Sequence, residues 1–207
     1  MLANYDAEAV AEVMGIAFLD EPVENHPEAA KSAKKASRAA GGRGDERFVI
    51  IVNHDPIRVV EVGSKGTFSR FDKSGNGGRI KRSPSPVLIE KAVEKGLPRP
   101  VLRHVAEHIV GTDKAKVSSL EWTLVPKTTL ERREEQLSPL ESERTERAAR
   151  LFVRARGALG SEAEARAFMT TPHPHLDGRT PVDAARTDLG TRRTEQILNA
   201  LEYALAL

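Results

Sequence analysis

The sequence contains no cysteine, few aromatic residues and no long apolar run. Without cysteine the chain has no disulfide bond, no thiolate metal site and no cysteine nucleophile, which fits a reducing compartment. Aromatic residues make up 4% of the chain, so the core must consist mostly of Leu, Val, Ile and Ala. No stretch predicts a membrane span, and the N-terminus lacks a signal-like pattern. We therefore expect a cytoplasmic protein with no membrane partner.

A strong excess of charge is also missing. The chain has 32 Lys and Arg against 30 Asp and Glu, a net charge of +2. A nucleic-acid partner would therefore have to bind a local basic surface. The sequence also lacks a G-x-S-x-G elbow, a P-loop and a G-x-G-x-x-G at a strand–helix junction. These absences favour a protein that is not an enzyme and needs no cofactor.

One short string, H-x-x-E-H at residues 104–108, is of the kind that binds zinc in metalloproteases. The apolar residues around it recur with helical period, and His104, Glu107 and His108 are predicted to point away from the buried face they define. A catalytic zinc would also need a third ligand and a cleft, which no nearby pattern marks. The string "HPH" at residues 173–175 is interpreted as a turn with polar tips. We expect no metal site at either place.

The N-terminal part is predicted to hold a helix, a linker and a small β module. Asp6 can cap a helix within residues 1–20, with an apolar stripe that runs to Ala17. Residues 21–45 have almost no large apolar side chain, which predicts a flexible linker. β-Branched runs at Arg47–Asn53 and Ile57–Val62 predict a hairpin within a β module over residues 46–80.

From Pro86 onward the pattern indicates helices. We predict a helix-turn-helix-like domain over residues 86–160 and a small helical domain over residues 161–207. With the N-terminal β hairpin or sheet, the class is mainly α, and α+β overall. The strongest helix start is "SPLE", where Ser138 begins a capping box. Thr180 is predicted to open a later helix that Gly190 closes, and Thr191 to cap the last one.

A helix-turn-helix interpretation is available for residues 115–136. The first helix would cover Ala115 to Val125, and a turn at Pro126 would lead to a polar recognition helix held mainly by Leu130. Lys and Arg side chains would contact phosphates or guanine edges, and Thr hydroxyls would hold phosphate oxygens. The predicted DNA-binding residues are Lys127, Thr128, Thr129, Arg132 and Arg133. Three nearby glutamates cancel part of this charge, so a plain helical packing unit is the alternative.

Longer strings carry a resemblance to a known family. They are "TTLERREEQLSPLESERTERAARLFVRARGALGS" and "AFMTTPHPHLDGRTPVDAARTDLGTRRTEQILNALEYALAL". With the T-L-x-R-R run, the L-S-x-x-E-S-x-R run and "HLDGRTPVDAARTDLG" in this order, the chain from about residue 87 to 207 resembles the Xre/MbcA/ParS antitoxins. The resemblance implies a type II toxin–antitoxin system whose toxin carries a RES domain and consumes NAD. It also implies promoter binding by the helix-turn-helix domain and blockage of the toxin's NAD pocket by the C-terminal domain.

The resemblance also assigns toxin-binding residues. These lie in one loop and on the last helix: His175, Leu176, Asp177, Gly178, Arg179, Thr180, Pro181, Arg192, Arg193, Gln196, Tyr203 and Leu207. The expected partners are a cognate RES-domain toxin, operator DNA and a second copy of the chain, in a homodimer or a toxin–antitoxin hetero-oligomer. The alternative function is a stand-alone helix-turn-helix transcription regulator whose C-terminal domain only dimerises.

Overall fold

A computed structural model describes residues 5–20, 48–52, 60–61, 80–132 and 136–205. The chain divides into two compact units. One consists of Met1–Ile16 together with Pro84–Leu207, and the other of Ala17–Ser83. The predicted boundary between residues 160 and 161 lies inside the first unit, and as a domain division it stays a prediction. The predicted linker at residues 21–45 lies outside the described residues.

Short strands are described in and next to the second unit. They are β1 (Ile16–Asp20), β2 (Phe48–Val52), β3 (Val60–Glu61) and β4 (Ile80–Arg82), in a four-stranded sheet of order β3-β2-β1-β4. β1 pairs antiparallel with β4, and β2 pairs antiparallel with β3. Because most of residues 46–80 lie outside the described part, the β module stays a prediction. The class of the described chain is mainly α rather than the expected α+β.

The first helix, α1 (Ala7–Met14), begins where the sequence predicts and ends earlier. The Asp6 side chain accepts a hydrogen bond from the Ala9 amide over 2.9 Å, as expected of an N-cap. Gly15 has φ +64° and ends the helix in the left-handed conformation that glycine adopts without strain. The predicted extension of the helical stripe to Ala17 is therefore wrong, since Ala17 lies in β1.

The helices after the sheet follow one another with short connections. They are α2 (Pro86–Lys95), α3 (Arg99–Val110), α4 (Lys114–Leu124), α5 (Lys127–Leu130), α6 (Pro139–Leu159), α7 (Glu162–Thr170), α8 (Pro181–Ala184) and α9 (Asp188–Leu205). A 3₁₀ turn, Pro174–Leu176, lies between α7 and α8. None of the helices in the described ranges combines the length and the apolar character that crossing a bilayer requires.

Helix α6 is the centre of the first unit. It packs against α1, α2, α3, α7 and α9. Its predicted apolar face is confirmed, because Ala148, Leu151, Phe152 and Ala155 are fully buried. The predicted capping box at Ser138 is confirmed as well, with both reciprocal hydrogen bonds present. A 21-residue helix with one continuous buried face is thus the support on which the other helices lie.

The start of α9 corrects a predicted helix boundary. Gly190 was expected to close one helix and Thr191 to cap the next, but both lie inside α9. The cap is Thr187, whose Oγ1 accepts a hydrogen bond from the Gly190 amide over 3.1 Å. A Cβ atom at residue 190 would lie 2.3 Å from the carbonyl oxygen of Ala184. Glycine is therefore required by the close approach of α8, and not by a helix end.

Candidate toxin-binding site

The loop between α7 and α8 has a tight backbone. The carbonyl of His173 accepts hydrogen bonds from the Leu176 and Gly178 amides, and the Arg179 carbonyl accepts one from the His173 amide. Asp177 and Gly178 both have positive φ, 58° and 74°, which turns the chain back on itself. The Leu176 side chain is fully buried and anchors the turn to the core. The loop is therefore held by its own backbone and by one apolar side chain.

An ion-pair cluster joins this loop to α9. The guanidinium of Arg193 donates to Asp177 Oδ2 over 2.7 Å and to the His175 carbonyl over 2.7 Å. Arg179 adds a longer contact to Asp177, at 3.7 Å. The hydrogen bond and charge of Arg193 lower the pKa of Asp177, and the same pair raises the pKa of Arg193. The two arginines thus hold an exposed carboxylate charged at the loop tip.

The C-terminal end of the loop is a helix cap. Thr180 accepts a hydrogen bond from the Asp183 amide and donates one to Asp183 Oδ2 over 2.7 Å. Pro181 is buried at the first position of α8. The predicted helix start at Thr180 is therefore confirmed. Because Leu176 and Pro181 are buried and the Thr180 hydroxyl is used in the cap, their contribution to an interface is to shape the loop.

Helix α9 carries an exposed surface that we call the α9 stripe. Its members recur at intervals of three and four residues, which places them on one side of a helix. They are Leu189, Arg192, Gln196, Ala200 and Tyr203. Leu189 is 71% exposed and Tyr203 is 76% exposed, so two large apolar side chains stand in solvent near opposite ends of the helix. From the helical rise, they lie about 21 Å apart.

The predicted toxin-binding residues fall into three sets. Arg192, Gln196 and Tyr203 lie together on the α9 stripe, and Leu207 lies outside the described residues. The others belong to the loop or to its ion-pair cluster. Sequence reasoning missed Leu189, although a leucine on the polar side of an amphipathic helix is a signal that could have found it. As a group, these assignments stay predictions.

Three arginines of α6 hold α9 in place. They lie at intervals of three and four residues on one side of α6, and we call them the arginine row. Arg147 donates to the Ala185 carbonyl over 2.9 Å, Arg150 Nη1 lies 3.2 Å from Glu195 Oε1, and Arg154 contacts Asn199 and Glu202. The row therefore fixes the connection before α9 and one flank of the helix. The α9 stripe lies on the exposed side of the helix, next to this flank.

Behind the arginine row lies a buried carboxylate, Glu146. Its side chain is 14% exposed and accepts a hydrogen bond from the Tyr5 hydroxyl over 2.9 Å. Arg150 Nε lies 3.5 Å from the same carboxylate. Burial raises the pKa of Glu146, against the opposing effects of Arg150, Tyr5 and Arg147. Burial and the charge of Glu146 also raise the pKa of Tyr5, which keeps its hydroxyl as a donor.

The raised pKa of Glu146 predicts a pH dependence of stability. A carboxyl group that binds its proton more tightly when folded stabilises the fold below its unfolded pKa, and this is lost as pH rises through the folded pKa. We expect the unfolding free energy of the wild type, minus that of Glu146→Gln, to fall as pH rises from 4 to 7, by at most about 1.4 kcal/mol per unit. Urea unfolding across this range measures it. A difference that rises with pH would contradict the prediction.

The proposed DNA-reading element differs from its predicted form. α4 buries Val117, Leu120 and Leu124 as expected, but α5 has four residues, about 6 Å of helix. The chain then leaves the helical path, since the Leu137 amide donates to the Leu97 carbonyl over 2.9 Å. The helix after Pro126 is therefore shorter than the predicted segment allows, and its role as a recognition helix stays a prediction.

The predicted DNA-binding side chains stand in different surroundings. Lys127 Nζ lies 4.9 Å above the ring of Trp122, which is 43% exposed. Thr128 is exposed, and its carbonyl accepts a hydrogen bond from Arg132 Nε over 3.0 Å. Thr129 is half-buried, and Arg133 lies outside the described residues. Their role in binding DNA stays a prediction.

The zinc-like string occupies the middle of α3. The rings of His104 and His108 lie 5.0 Å apart. His108 Nδ1 also lies 4.0 Å from Glu162 Oε1, and its side chain is only 26% exposed. The prediction that His108 points away from the core is therefore wrong, since it packs between α6 and α7 with its ring 6.3 Å from Phe152. No group of three or more potential metal ligands occurs among the residues that the structure describes.

The comparisons with known proteins concern the part of the chain that carries α6 to α9. No curated protein shows a significant match to the sequence. A family model does match, over residues 145–204, and its description is antitoxin Xre/MbcA/ParS C-terminal toxin-binding domain. The matched segment contains the arginine row, the α7–α8 loop and the α9 stripe. The resemblance is therefore confirmed for residues 145–204, which are similar to the toxin-binding domain of the Xre/MbcA/ParS antitoxins.

Proposed function

We propose that this protein is the antitoxin of a type II system and neutralises a RES-domain, NAD-consuming toxin by covering its active site. The matched domain implies a toxin partner, and the resemblance over residues 87–207 supports the finer identification of that toxin. The observation that carries the proposal is the α9 stripe. It is the exposed surface of the matched domain on which Leu189 and Tyr203 stand in solvent.

The composition of the stripe suits a protein partner. An exposed Tyr and a Leu flank Arg192 and Gln196, and Tyr and Arg are the side chains that most often dominate interface energies. Covering the two apolar side chains stabilises a complex at roughly 25 cal/mol per Å² of apolar surface. Inhibition of this kind needs shape and surface complementarity and no reacting group on the antitoxin.

The geometry of the loop supports the same function. Arg193 ties the tip of the α7–α8 loop to α9 through Asp177 and the His175 carbonyl. The loop and the stripe therefore form one preformed surface, and a preformed surface loses less conformational entropy on binding. His175 and Arg179 are exposed beside it and extend the surface that a toxin could contact.

We infer that the toxin is a RES-domain protein encoded beside this chain, and co-expression of the two proteins tests the proposal. Alone, that protein should deplete cellular NAD and stop growth. Together with this chain, NAD and growth should return to the level of uninduced cells. Equal NAD loss with and without this chain would refute the proposal.

Operator binding is the second activity that the resemblance suggests. Lys127, Thr128 and Arg132 are exposed, and Lys127 lies over the ring of Trp122. Glu131 pairs with Lys127 at 3.9 Å, so Arg132 is the side chain of this group best placed to contact a phosphate. In a gel shift with the upstream DNA, Arg132→Ala should weaken binding, and the loss should shrink as salt is raised. An unchanged shift would place DNA binding elsewhere.

The same experiments separate the antitoxin from a stand-alone regulator. A stand-alone regulator would shift the DNA and leave the NAD level of the co-expressing cells unchanged. The homodimer, the toxin–antitoxin hetero-oligomer and the cytoplasmic location stay predictions. Light scattering of the purified protein, with and without the RES-domain protein, tests the first two.

A further inference from the structure

The N-terminal segment belongs to the structural support of α9, although it lies outside the matched residues. α1 packs against α2, α3 and α6, and it buries Val10, Val13 and Met14. The Tyr5 hydroxyl donates to Glu146 across 141 positions of sequence. The unit that contains the toxin-binding domain is thus built from two separate parts of the chain.

A continuous set of polar contacts leads from Tyr5 to α9. Tyr5 binds Glu146, Glu146 lies 3.5 Å from Arg150, and Arg150 Nη1 lies 3.2 Å from Glu195. Each of these four side chains is at least partly buried, so the contacts are screened less than surface ion pairs. Glu195 lies on the flank of α9 that faces α6. Because Glu195 and the α9 stripe belong to one helix, a shift of this contact would also shift the stripe.

The Tyr5 hydroxyl matters because Glu146 is a buried carboxylate. A buried charge is expensive unless it is paired and hydrogen-bonded. With Tyr5 and Arg150 both present, Glu146 can remain where it is and hold one side of the Arg150 guanidinium. Without the Tyr5 hydroxyl, the Glu146 carboxylate loses a hydrogen-bond donor. The Arg150 guanidinium must then either move closer to Glu146 or give up its contact with it. Either movement changes the contact between Arg150 and Glu195.

We propose that Tyr5 is a positioning residue for the α9 stripe: it fixes Glu146, Glu146 fixes Arg150, and Arg150 fixes Glu195 and the helix that carries the stripe. The N-terminal segment therefore contributes to the toxin-binding surface from a distance. For its effect on toxin binding, this inference rests on the proposed function. Its structural part can be measured on the chain alone.

Hydrogen exchange of the full-length chain, followed by mass spectrometry, tests the structural part. Tyr5→Phe keeps the ring and removes the donor. We expect the amides of α9 to exchange about tenfold faster in this variant, the size of effect that losing a hydrogen bond to a charged group produces. Glu12→Gln is the matched control. It removes an ion pair of α1 with Arg156, at 3.8 Å, that does not belong to the set leading to α9.

A double-variant cycle separates positioning from a general loss of stability. Glu195→Gln alone should speed amide exchange in α9. Tyr5→Phe should then have a smaller effect on this exchange in the Glu195→Gln background than in the wild type. The proposal would be overturned if the effects of Tyr5→Phe and Glu195→Gln on exchange in α9 were additive. It would also be overturned if Tyr5→Phe accelerated exchange equally in α9 and α3. An effect of Glu12→Gln on α9 equal to that of Tyr5→Phe would overturn it too.

The affinity for the RES-domain protein encoded beside this chain is the second measurement. We expect Tyr5→Phe to weaken binding by about tenfold at a temperature where both forms are fully folded, which a stability effect alone would not do. Faster exchange in α9 with unchanged affinity would uphold the positioning role and remove the α9 stripe from the toxin interface. Unchanged exchange would overturn the positioning role, whatever the co-expression result.

Discussion

Gly190→Ala is expected to lower the free energy of unfolding by about 1–3 kcal/mol, the cost of forcing an extra methyl group into a packed site. The new Cβ would lie 2.3 Å from the Ala184 carbonyl oxygen and 2.9 Å from Thr187 Oγ1. Because the first of these is a backbone atom, α8 and α9 must move apart. The same movement displaces Leu189 and weakens the attachment of the loop through Arg193. We therefore expect urea unfolding to show a lower free energy of unfolding, and binding measurements to show a lower affinity for the toxin.

Gly157→Ala is the matched control for this substitution. Gly157 also lies inside a helix, but nothing stands within 4 Å of the position of an added Cβ. Alanine is the better helix former, so this variant should gain about 0.5–1 kcal/mol. If Gly190→Ala proved as stable as Gly157→Ala, the close packing of α8 on α9 at residue 190 would be wrong.

Three helix starts were predictable because their signals are local. Asp6, Ser138 and Thr180 each accept a hydrogen bond from an amide three residues ahead, and each begins a helix as predicted. The same holds for the buried face of α6, since its period is set by the helix itself. In each case the residues that decide the structure are neighbours in sequence.

Helix ends and close approaches were not predictable from neighbours alone. Gly190 looks like a helix end in sequence, but its role is set by the Ala184 carbonyl of another helix. α5 ends after one turn, and the chain beyond it is drawn to the α2–α3 loop by Leu97. His108 is turned toward the core by Glu162 and Phe152. Tertiary contacts overrode the local pattern at each of these positions.

The contact between Tyr5 and Glu146 gave no sequence signal at all. A tyrosine before a helix cap and a glutamate among arginines are both ordinary, and the two lie 141 positions apart. Of the candidate interface, the loop and the polar part of the α9 stripe came from the family resemblance. The exposure of Leu189 was recognised from the packing of α9 on α6, although its place on the polar side of the helix is a sequence signal. That packing leaves an apolar side chain on the outer flank.

Leu189→Asp is expected to weaken binding of the proposed toxin by about 30-fold, the effect of removing a side chain that contributes about 2 kcal/mol to an interface. The substitution replaces an apolar contact with a charge that the complex would have to desolvate. The free chain should be little affected, because residue 189 is 71% exposed and an acidic side chain in the first turn of a helix interacts favourably with the helix dipole.

Leu140→Asp is the matched control. Leu140 is 54% exposed and is the second residue of α6, as Leu189 is of α9. Both variants should therefore change the free energy of unfolding by no more than about 0.5 kcal/mol, and only the one on the α9 stripe should lose affinity. Equal losses in both variants would show that any new charge on this surface disturbs binding. Unchanged affinity of Leu189→Asp would place the toxin on another face, because an exposed leucine inside a protein interface cannot be exchanged for a carboxylate without a cost.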